Sequence, residues 1–154
     1  MEKPVTSPVK ARARTLVGKC QCGAVCYGVA DEFVYAANCH CANCRRATGS
    51  AFKPFAGIAR DKLRITSGGS HLMIFGDDHG HDARCRVCGS LLYSVVADGA
   101  FVHVAMGTLA DDPAIRPNKH IFVGSKAPWF TITDDLPQYA AHAVAAAPDG
   151  GRTS

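Results

Sequence analysis

Closely spaced cysteines constrain the fold of this chain more than any other feature. Eight cysteines occur in 154 residues, and all but Cys26 belong to three short clusters. A C-x-C pair in an extended strand points both thiols to one face, and a C-x-x-C pair converges across a tight turn. The sequence therefore predicts metal sites at these clusters, which are the C-x-C pair (Cys20, Cys22), the trio (Cys39, Cys41, Cys44) and the C-x-x-C pair (Cys85, Cys88).

The cellular compartment bears on how these thiols are used. No hydrophobic stretch approaches the length of a membrane span, and no apolar signal core follows the charged N-terminus. We therefore expect a cytoplasmic protein that does not contact a membrane and whose thiols stay reduced. Under reducing conditions, clustered cysteines indicate metal ligands rather than disulfides.

The spacing alone leaves two ways to combine the clusters. In the first, the C-x-C and C-x-x-C pairs form a closed four-cysteine site, and the trio stands alone. In the second, Cys41 and Cys44 join the C-x-x-C pair in a site like that of a zinc ribbon. We favour the first because it uses both short motifs and isolates three ligands, and three protein ligands leave a coordination position open for water or substrate. A second structural site, completed by Cys26 or a histidine, is the alternative for the trio.

The remaining candidate ligands are expected to lie outside these sites. Cys26 alternates with Val25 and Tyr27, which predicts an unliganded strand residue. His40 alternates away from the neighbouring cysteines of the trio, so it is not expected to be the fourth ligand. The segment 77–82, "DDHGHD", is interpreted as an exposed hairpin loop. Other histidines lack ligand spacing with any cysteine pair, namely His71, His79, His81, His103 and His142.

Positive charge is concentrated at the N-terminus. The chain has a formal net charge of +4, to which residues 1–14 contribute +3 from four basic residues and one Glu, leaving +1 for the rest. This balance predicts no binding of nucleic acid. We expect a disordered basic tail at 1–14, one zinc domain at 15–139, and a flexible tail at 140–154 that begins with a short Ala-rich stretch.

Period-two alternation is the main secondary-structure signal between these tails. The longest example covers residues 90–109, where Asp98-Gly99 supplies a turn pair between two β-rich runs and predicts a hairpin. Many short strands and little helix indicate a mainly β domain of antiparallel strands. Further short strands are predicted at 23–29, 63–66, 71–75, 120–125 and 129–134.

Five motifs together resemble the glutathione-dependent formaldehyde-activating enzyme family. They are "GKCQCGAVCY", "CHCANCRRATGSAF", "CRVCGSLL", "GTLADDP" and "KHIFVGSKAPWFTITDDLPQY", and the resemblance covers about residues 16–139. It implies a β-tent fold of several coiled sheets with two zinc ions per chain. It assigns the C-x-C and C-x-x-C pairs to a structural zinc and the trio to a catalytic zinc. Arg84 departs from the family pattern, which has an aromatic residue before the C-x-x-C pair.

The resemblance also implies an activity. It indicates a zinc-dependent carbon–sulfur lyase that acts on the adduct of a small-molecule thiol with an aldehyde, forming S-hydroxymethylglutathione from glutathione and formaldehyde. Arg45 and Arg46 are candidates for binding the carboxylates of the thiol. Lys126 and Trp129 are candidates for the same cleft, although Trp129 also suits a core anchor. His120 suits a proton shuttle or a structural hydrogen bond. The alternative function is a zinc-stabilised binding module without catalysis.

Overall fold

Short strands of about five residues dominate the structure, a computed structural model that describes residues 12–143. The single α-helix of this part, α1, covers Ala42–Thr48, and four turns of 3₁₀-helix cover Arg60–Lys62, Gly69–His71, Met106–Thr108 and Val123–Ser125. The ten strands are β1 (Thr15–Lys19), β2 (Cys26–Ala30), β3 (Tyr35–Cys39), β4 (Lys53–Ala59), β5 (Leu63–Ser67), β6 (Leu72–Gly76), β7 (His81–Cys85), β8 (Leu91–Val96), β9 (Phe101–Ala105) and β10 (His120–Ile121).

Two sheets account for all ten strands. The smaller sheet has the order β1-β2-β5, and the larger has the order β10-β3-β4-β9-β8-β7-β6. Every pairing is antiparallel except that of β10 with β3. The mainly β class with little helix, expected from the sequence, is therefore confirmed.

The β8–β9 hairpin matches the prediction for residues 90–109. Val96 pairs with Phe101, and the chain reverses between them with left-handed backbone at Asp98 (φ 56°) and Gly99 (φ 84°). Ala97 is also left-handed, at φ 53°. Of the segment 77–82, residues 77–80 connect β6 to β7 and are exposed, as expected for a hairpin loop, whereas His81 and Asp82 are half-buried and begin β7.

Apolar side chains from both sheets form the main core. Val25, Tyr27 and Val29 alternate on the buried face of the smaller sheet, with no exposed surface. They pack with Leu92 and Val104 of the larger sheet in one cluster. The Tyr27 hydroxyl also shares a 2.7 Å hydrogen bond with the Thr108 hydroxyl. A second, smaller cluster lies at the β3 end of the larger sheet and contains Ala37, Cys39, Phe55 and Ile121.

Two strand predictions are wrong in the C-terminal part of the domain. Of residues 120–125, only His120–Ile121 form a strand, because Phe122 adopts left-handed backbone (φ 56°) and a 3₁₀ turn follows. Residues 129–134 form no strand. The carbonyl of Phe130 accepts a hydrogen bond from the Lys126 ammonium group, and the Phe130 ring packs on His40 and Phe52. These contacts replace a β-ladder there.

The predicted tails lie mostly outside the described residues. Residues 12–14 and 140–143 have no helix or strand, and the Ala-rich stretch beyond residue 143 is not described. Within the described part, no helix is both long enough and apolar enough to span a bilayer.

Candidate metal centres and substrate cavity

The C-x-C and C-x-x-C pairs meet in one four-thiol cluster. The Sγ atoms of Cys20 and Cys22 lie 3.6 Å apart, and those of Cys22 and Cys85 lie 3.8 Å apart. All four ligand atoms lie within 4.8 Å of one another. A tetrahedral zinc site with Zn–S bonds of about 2.3 Å separates its sulfurs by about 3.8 Å, so this donor set fits zinc.

Glycines allow both pairs to make their sharp turns. Gly23 follows the C-x-C pair at φ 79°, and Gly89 follows the C-x-x-C pair at φ 80°. The Gly89 N–H donates to the carbonyl of Cys85 at 2.8 Å, which closes the turn. Left-handed backbone is strained for other residue types, so both positions favour glycine.

The four-thiol cluster joins the two sheets. Cys20 directly follows β1 of the smaller sheet, whereas Cys85 is the last residue of β7 in the larger sheet. Both side chains are buried in the main core, with 1% and 0% of their surface exposed. Cys22 is exposed and Cys88 is half-buried, so the cluster extends from the core to the surface. A metal bound here would cross-link the two sheets, as a structural site does.

The trio forms a separate cluster in which the three Sγ atoms also lie within 4.8 Å of one another. Cys39 is the last residue of β3, and Cys41 is the N-cap of α1. The Cys41 Sγ accepts a hydrogen bond from the backbone N–H of Cys44 at 3.3 Å. A hydrogen bond between Cys39 and Cys44 lowers the pKa of the first thiol and raises that of the second. This donor set fits zinc with three protein ligands and one position open.

The grouping of the cysteines matches the first combination considered from the spacing. The C-x-x-C pair lies with the C-x-C pair and not with Cys41 and Cys44. Cys26 stays outside both clusters, and its thiol donates to the carbonyl of Gly23 at 3.7 Å. His40 also stays outside, because its Nε2 atom hydrogen-bonds to His120.

A cavity of about 410 Å³ borders the trio. It adjoins Cys39 and Cys44, and its apolar walls include Phe55 and Ile121. Two cations, Lys53 and Lys119, and the Tyr35–His103 pair provide most of its polar groups, and His142 also lines it. A small molecule in this cavity would therefore reach the trio, an apolar surface and positive charge together.

Tyr35 and His103 form a hydrogen-bonded pair in this cavity. The Tyr35 hydroxyl and His103 Nε2 lie 2.7 Å apart, and the His103 ring stacks on Phe55 with ring centres separated by 4.2 Å. Gly57 makes room for the tyrosine, since a Cβ there would lie 2.2 Å from the Tyr35 ring. Burial, with a smaller contribution from the charge of Lys53, lowers the pKa of His103 to about 4. His103 is therefore neutral near pH 7.

Lys53 is a buried cation next to the trio. It pairs with Cys39 across the β3–β4 ladder, and only 6% of its surface is exposed. Its ammonium group donates to the Ser94 hydroxyl at 3.4 Å, and that hydroxyl donates to Asp82 at 2.6 Å. Within residues 12–143, no carboxylate forms an ion pair with Lys53. Burying a charge is costly without a counter-charge, so an anion in the cavity or at the trio would be favoured.

Comparison with known proteins identifies the family. The family model described as "Glutathione-dependent formaldehyde-activating enzyme" matches residues 15–125. The chain belongs to this family. It is similar to a Rhodobacter sphaeroides protein of known crystal structure, with 26% identity, a TM-score of 0.53, and coverage of 64% of this chain and 92% of that one. A search of curated proteins gives no match.

In this member of the formaldehyde-activating family, the residues that the sequence suggests for substrate binding lie outside the cavity. Arg45, Arg46, Lys126 and Trp129 do not line the cavity at the trio. Arg46 is exposed, and the Lys126 ammonium group donates to backbone carbonyls. Trp129 has 71% of its surface exposed, so the alternative of a core anchor is wrong. Their role in substrate binding remains a prediction without support from the cavity.

Sequence reasoning missed the cavity residues Lys53, His103 and Lys119. Lys53 was the one with a visible signal, because it is a lone charge at the start of the apolar strand 53–59. His103 lacks ligand spacing with any cysteine pair, so the sequence does not indicate it. The structure brings it to the cavity through the pairing of β9 with β4, where it lies opposite Gly57.

Proposed function

We propose that this protein is a zinc-dependent carbon–sulfur lyase of the formaldehyde-activating type, with glutathione and formaldehyde as its substrates. The observation that carries the proposal is the trio of thiols at the wall of a cavity that holds two lysines. Family membership supports the same reaction. The four-thiol cluster, which has no open position, would hold a second, structural zinc.

The reaction forms one carbon–sulfur bond. The thiol sulfur attacks the carbonyl carbon of the aldehyde, the thiol proton is lost, and the carbonyl oxygen becomes a hydroxyl by taking up a proton. Zinc bound to the trio would supply an open position for the substrate thiol and lower its pKa. Cys39, Cys41 and Cys44 would hold that ion.

The cavity residues have distinct roles in this proposal. Lys53, which is buried, and Lys119, which is half-buried, would bind the carboxylates of the thiol, since ammonium groups pair with carboxylates and a buried one favours an anionic partner. The Tyr35–His103 pair offers neutral hydrogen-bonding groups to the hydroxymethyl end of the adduct. Phe55 would exclude water from one side of the cavity, which limits competing hydration of the aldehyde.

The test is the exchange between formaldehyde and S-hydroxymethylglutathione, followed by NMR with and without the protein. The uncatalysed reaction sets the baseline, because the adduct also forms unaided in water. We expect acceleration by the native chain and by Cys26→Ser, and loss of the acceleration in Cys41→Ser. An unaccelerated reaction with protein that contains two zinc ions would refute this activity.

A zinc-stabilised binding module is the second candidate. It is favoured by Ile74 and Phe75, two exposed apolar residues on the edge strand β6 (44% and 54% exposed). Such a module needs neither an open metal site nor a cavity beside it. It predicts zinc that is equally inert in both clusters, together with no acceleration of the exchange.

The location and domain limits are part of the same proposal. All eight cysteines are free thiols, which suits a reducing compartment such as the cytoplasm. We assign the activity to residues 15–139, which include both clusters and the cavity residues that act in the proposal.

A further inference from the structure

A buried row of side chains leads from the surface to the loop of the trio. His40 and His120 have 0% and 2% of their surface exposed, and His40 Nε2 lies 2.8 Å from His120 Nδ1. The other nitrogen of His120, Nε2, lies 3.0 Å from each carboxylate oxygen of Asp134. The rings of Phe52 and Phe130 pack around the two histidines.

The carboxylate fixes the direction of these hydrogen bonds. An ionised Asp134 only accepts, so His120 Nε2 carries a proton and donates it. In a neutral ring His120 Nδ1 is then an acceptor, and His40 Nε2 must donate to it. This leaves His40 Nδ1 as an acceptor. Both rings would therefore have the proton on Nε2.

Arg45 supplies an independent observation in favour of this direction. Two buried side-chain atoms of the described residues have no hydrogen-bond partner, His40 Nδ1 and Arg45 Nε. The Arg45 nitrogen can only donate, and its charge lies close enough to act on His40. With the proton on His40 Nε2, one of these unpartnered atoms is an acceptor and the other is a donor. The opposite direction would make both atoms donors, which could not hydrogen-bond to each other.

We infer that Asp134 sets the tautomers of both histidines and, through them, holds the trio in place as a positioning residue. His40 lies between Cys39 and Cys41, and Arg45 directly follows Cys44. The row therefore includes the residue between the first two thiols, and the charge that acts on it belongs to the residue after the third. This inference rests on the proposed metal site at the trio, whereas the tautomers do not depend on it.

The tautomers are measured on the zinc-loaded full chain by long-range ¹H–¹⁵N correlation of the histidine rings. We expect His40 and His120 both to be protonated at Nε2 and not at Nδ1. His40→Gln and His120→Gln assign the two signals. A proton on His40 Nδ1 would overturn the direction of the row.

The positioning role is measured as the rate of zinc release to a chromophoric chelator. Zinc release from the two clusters should give two kinetic phases, and the phase that is absent in Cys44→Ser is assigned to the trio. Asp134→Asn keeps one accepting oxygen but turns the other, also 3.0 Å from His120 Nε2, into a donating NH₂ group and removes the negative charge, so it weakens the preference for the native tautomer. We expect zinc to leave the trio about 10- to 100-fold faster, which is the usual size of the effect when a residue that supports a metal ligand is lost. Release from the four-thiol cluster should stay unchanged.

Asp135→Asn is the matched control, because it removes the neighbouring, exposed carboxylate. Its release rates should equal those of the native chain. Equal rates in Asp134→Asn would overturn the positioning role, even with the expected tautomers. A native chain that holds no metal at the trio would refute the proposed function and this role together. The ring tautomers would still decide the direction of the hydrogen bonds.

Discussion

Replacing one cysteine in each cluster should have very different effects on folding. Cys85 lies in the main core at 0% exposure, and its cluster joins the two sheets. Cys44 is half-buried and packs against the small cluster at the β3 end. We predict that Cys85→Ser unfolds the protein at 25 °C, whereas Cys44→Ser keeps a cooperative fold with one zinc fewer.

The magnitudes follow from the two environments. A structural zinc contributes about 10–16 kcal/mol of binding free energy in small zinc domains, whereas a whole domain is stable by only about 5–15 kcal/mol. If a large part of this binding free energy is lost, the loss is greater than the free energy of unfolding of the domain. A buried serine hydroxyl without a partner adds a further cost of about 1–3 kcal/mol. For Cys44→Ser we expect a cost of about 1–3 kcal/mol, since few buried side chains depend on it. At about 2–4 °C per kcal/mol, its Tm should fall by about 10 °C or less.

Native mass spectrometry and thermal unfolding followed by circular dichroism measure both quantities. Cys26→Ser is the matched control, because its thiol belongs to neither cluster and should leave two zinc ions and an unchanged Tm. Cys44→Ser should hold one zinc. The reasoning would be refuted by a folded Cys85→Ser variant with native Tm, or by a Cys44→Ser variant that is unfolded.

Three further predictions concern the cavity. Lys53→Met should lower kcat/KM for glutathione about 10- to 100-fold more than for cysteamine, a thiol without carboxylates; an equal loss for both would contradict carboxylate binding. Gly57→Ala should lower Tm by several degrees, at a cost of about 1–3 kcal/mol, because its Cβ displaces the Tyr35 ring. The folded-state pKa of His103, lowered from 6.5 to about 4, means that the unfolded chain binds the proton more readily. Stability should therefore fall by up to about 3 kcal/mol as pH drops through this window, and urea titrations should show a smaller fall in His103→Gln.

Sequence patterns predicted the parts of this fold that depend on local chemistry. The Asp98-Gly99 turn requires left-handed backbone, which few residues adopt, so the β8–β9 hairpin was visible. The spacing within each cysteine cluster likewise indicates which thiols can converge on one metal ion. The strand predicted at 129–134 is wrong although Phe130 and Ile132 alternate as in a strand. The Phe130 ring packs against the rings of His40 and Phe52, and within the described part of the chain the segment pairs with no neighbouring strand.

The cavity could not be predicted because its residues meet only through long-range strand pairing. The register of β3 with β4 places Lys53 opposite Cys39 of the trio. The register of β4 with β9 places His103 in the cavity, opposite Gly57. Neither register is encoded in a short motif. Arg45, by contrast, adjoins the trio in sequence and therefore attracted a substrate-binding role. Its Nε atom is buried, and Arg45 does not line the cavity.

The placement of the two clusters separates stability from chemistry. The four-thiol cluster lies where both sheets meet, and its thiols Cys20 and Cys85 are buried in the main core, so loss of a metal bound there would loosen the contact between the sheets. The trio lies at the end of β3, on a seven-residue helix and beside a cavity. A metal bound at the trio could therefore exchange a ligand or a substrate while the sheets stay joined. A ligand exchanged at the four-thiol cluster would act on residues that hold the two sheets together, so exchange at the trio costs the fold less.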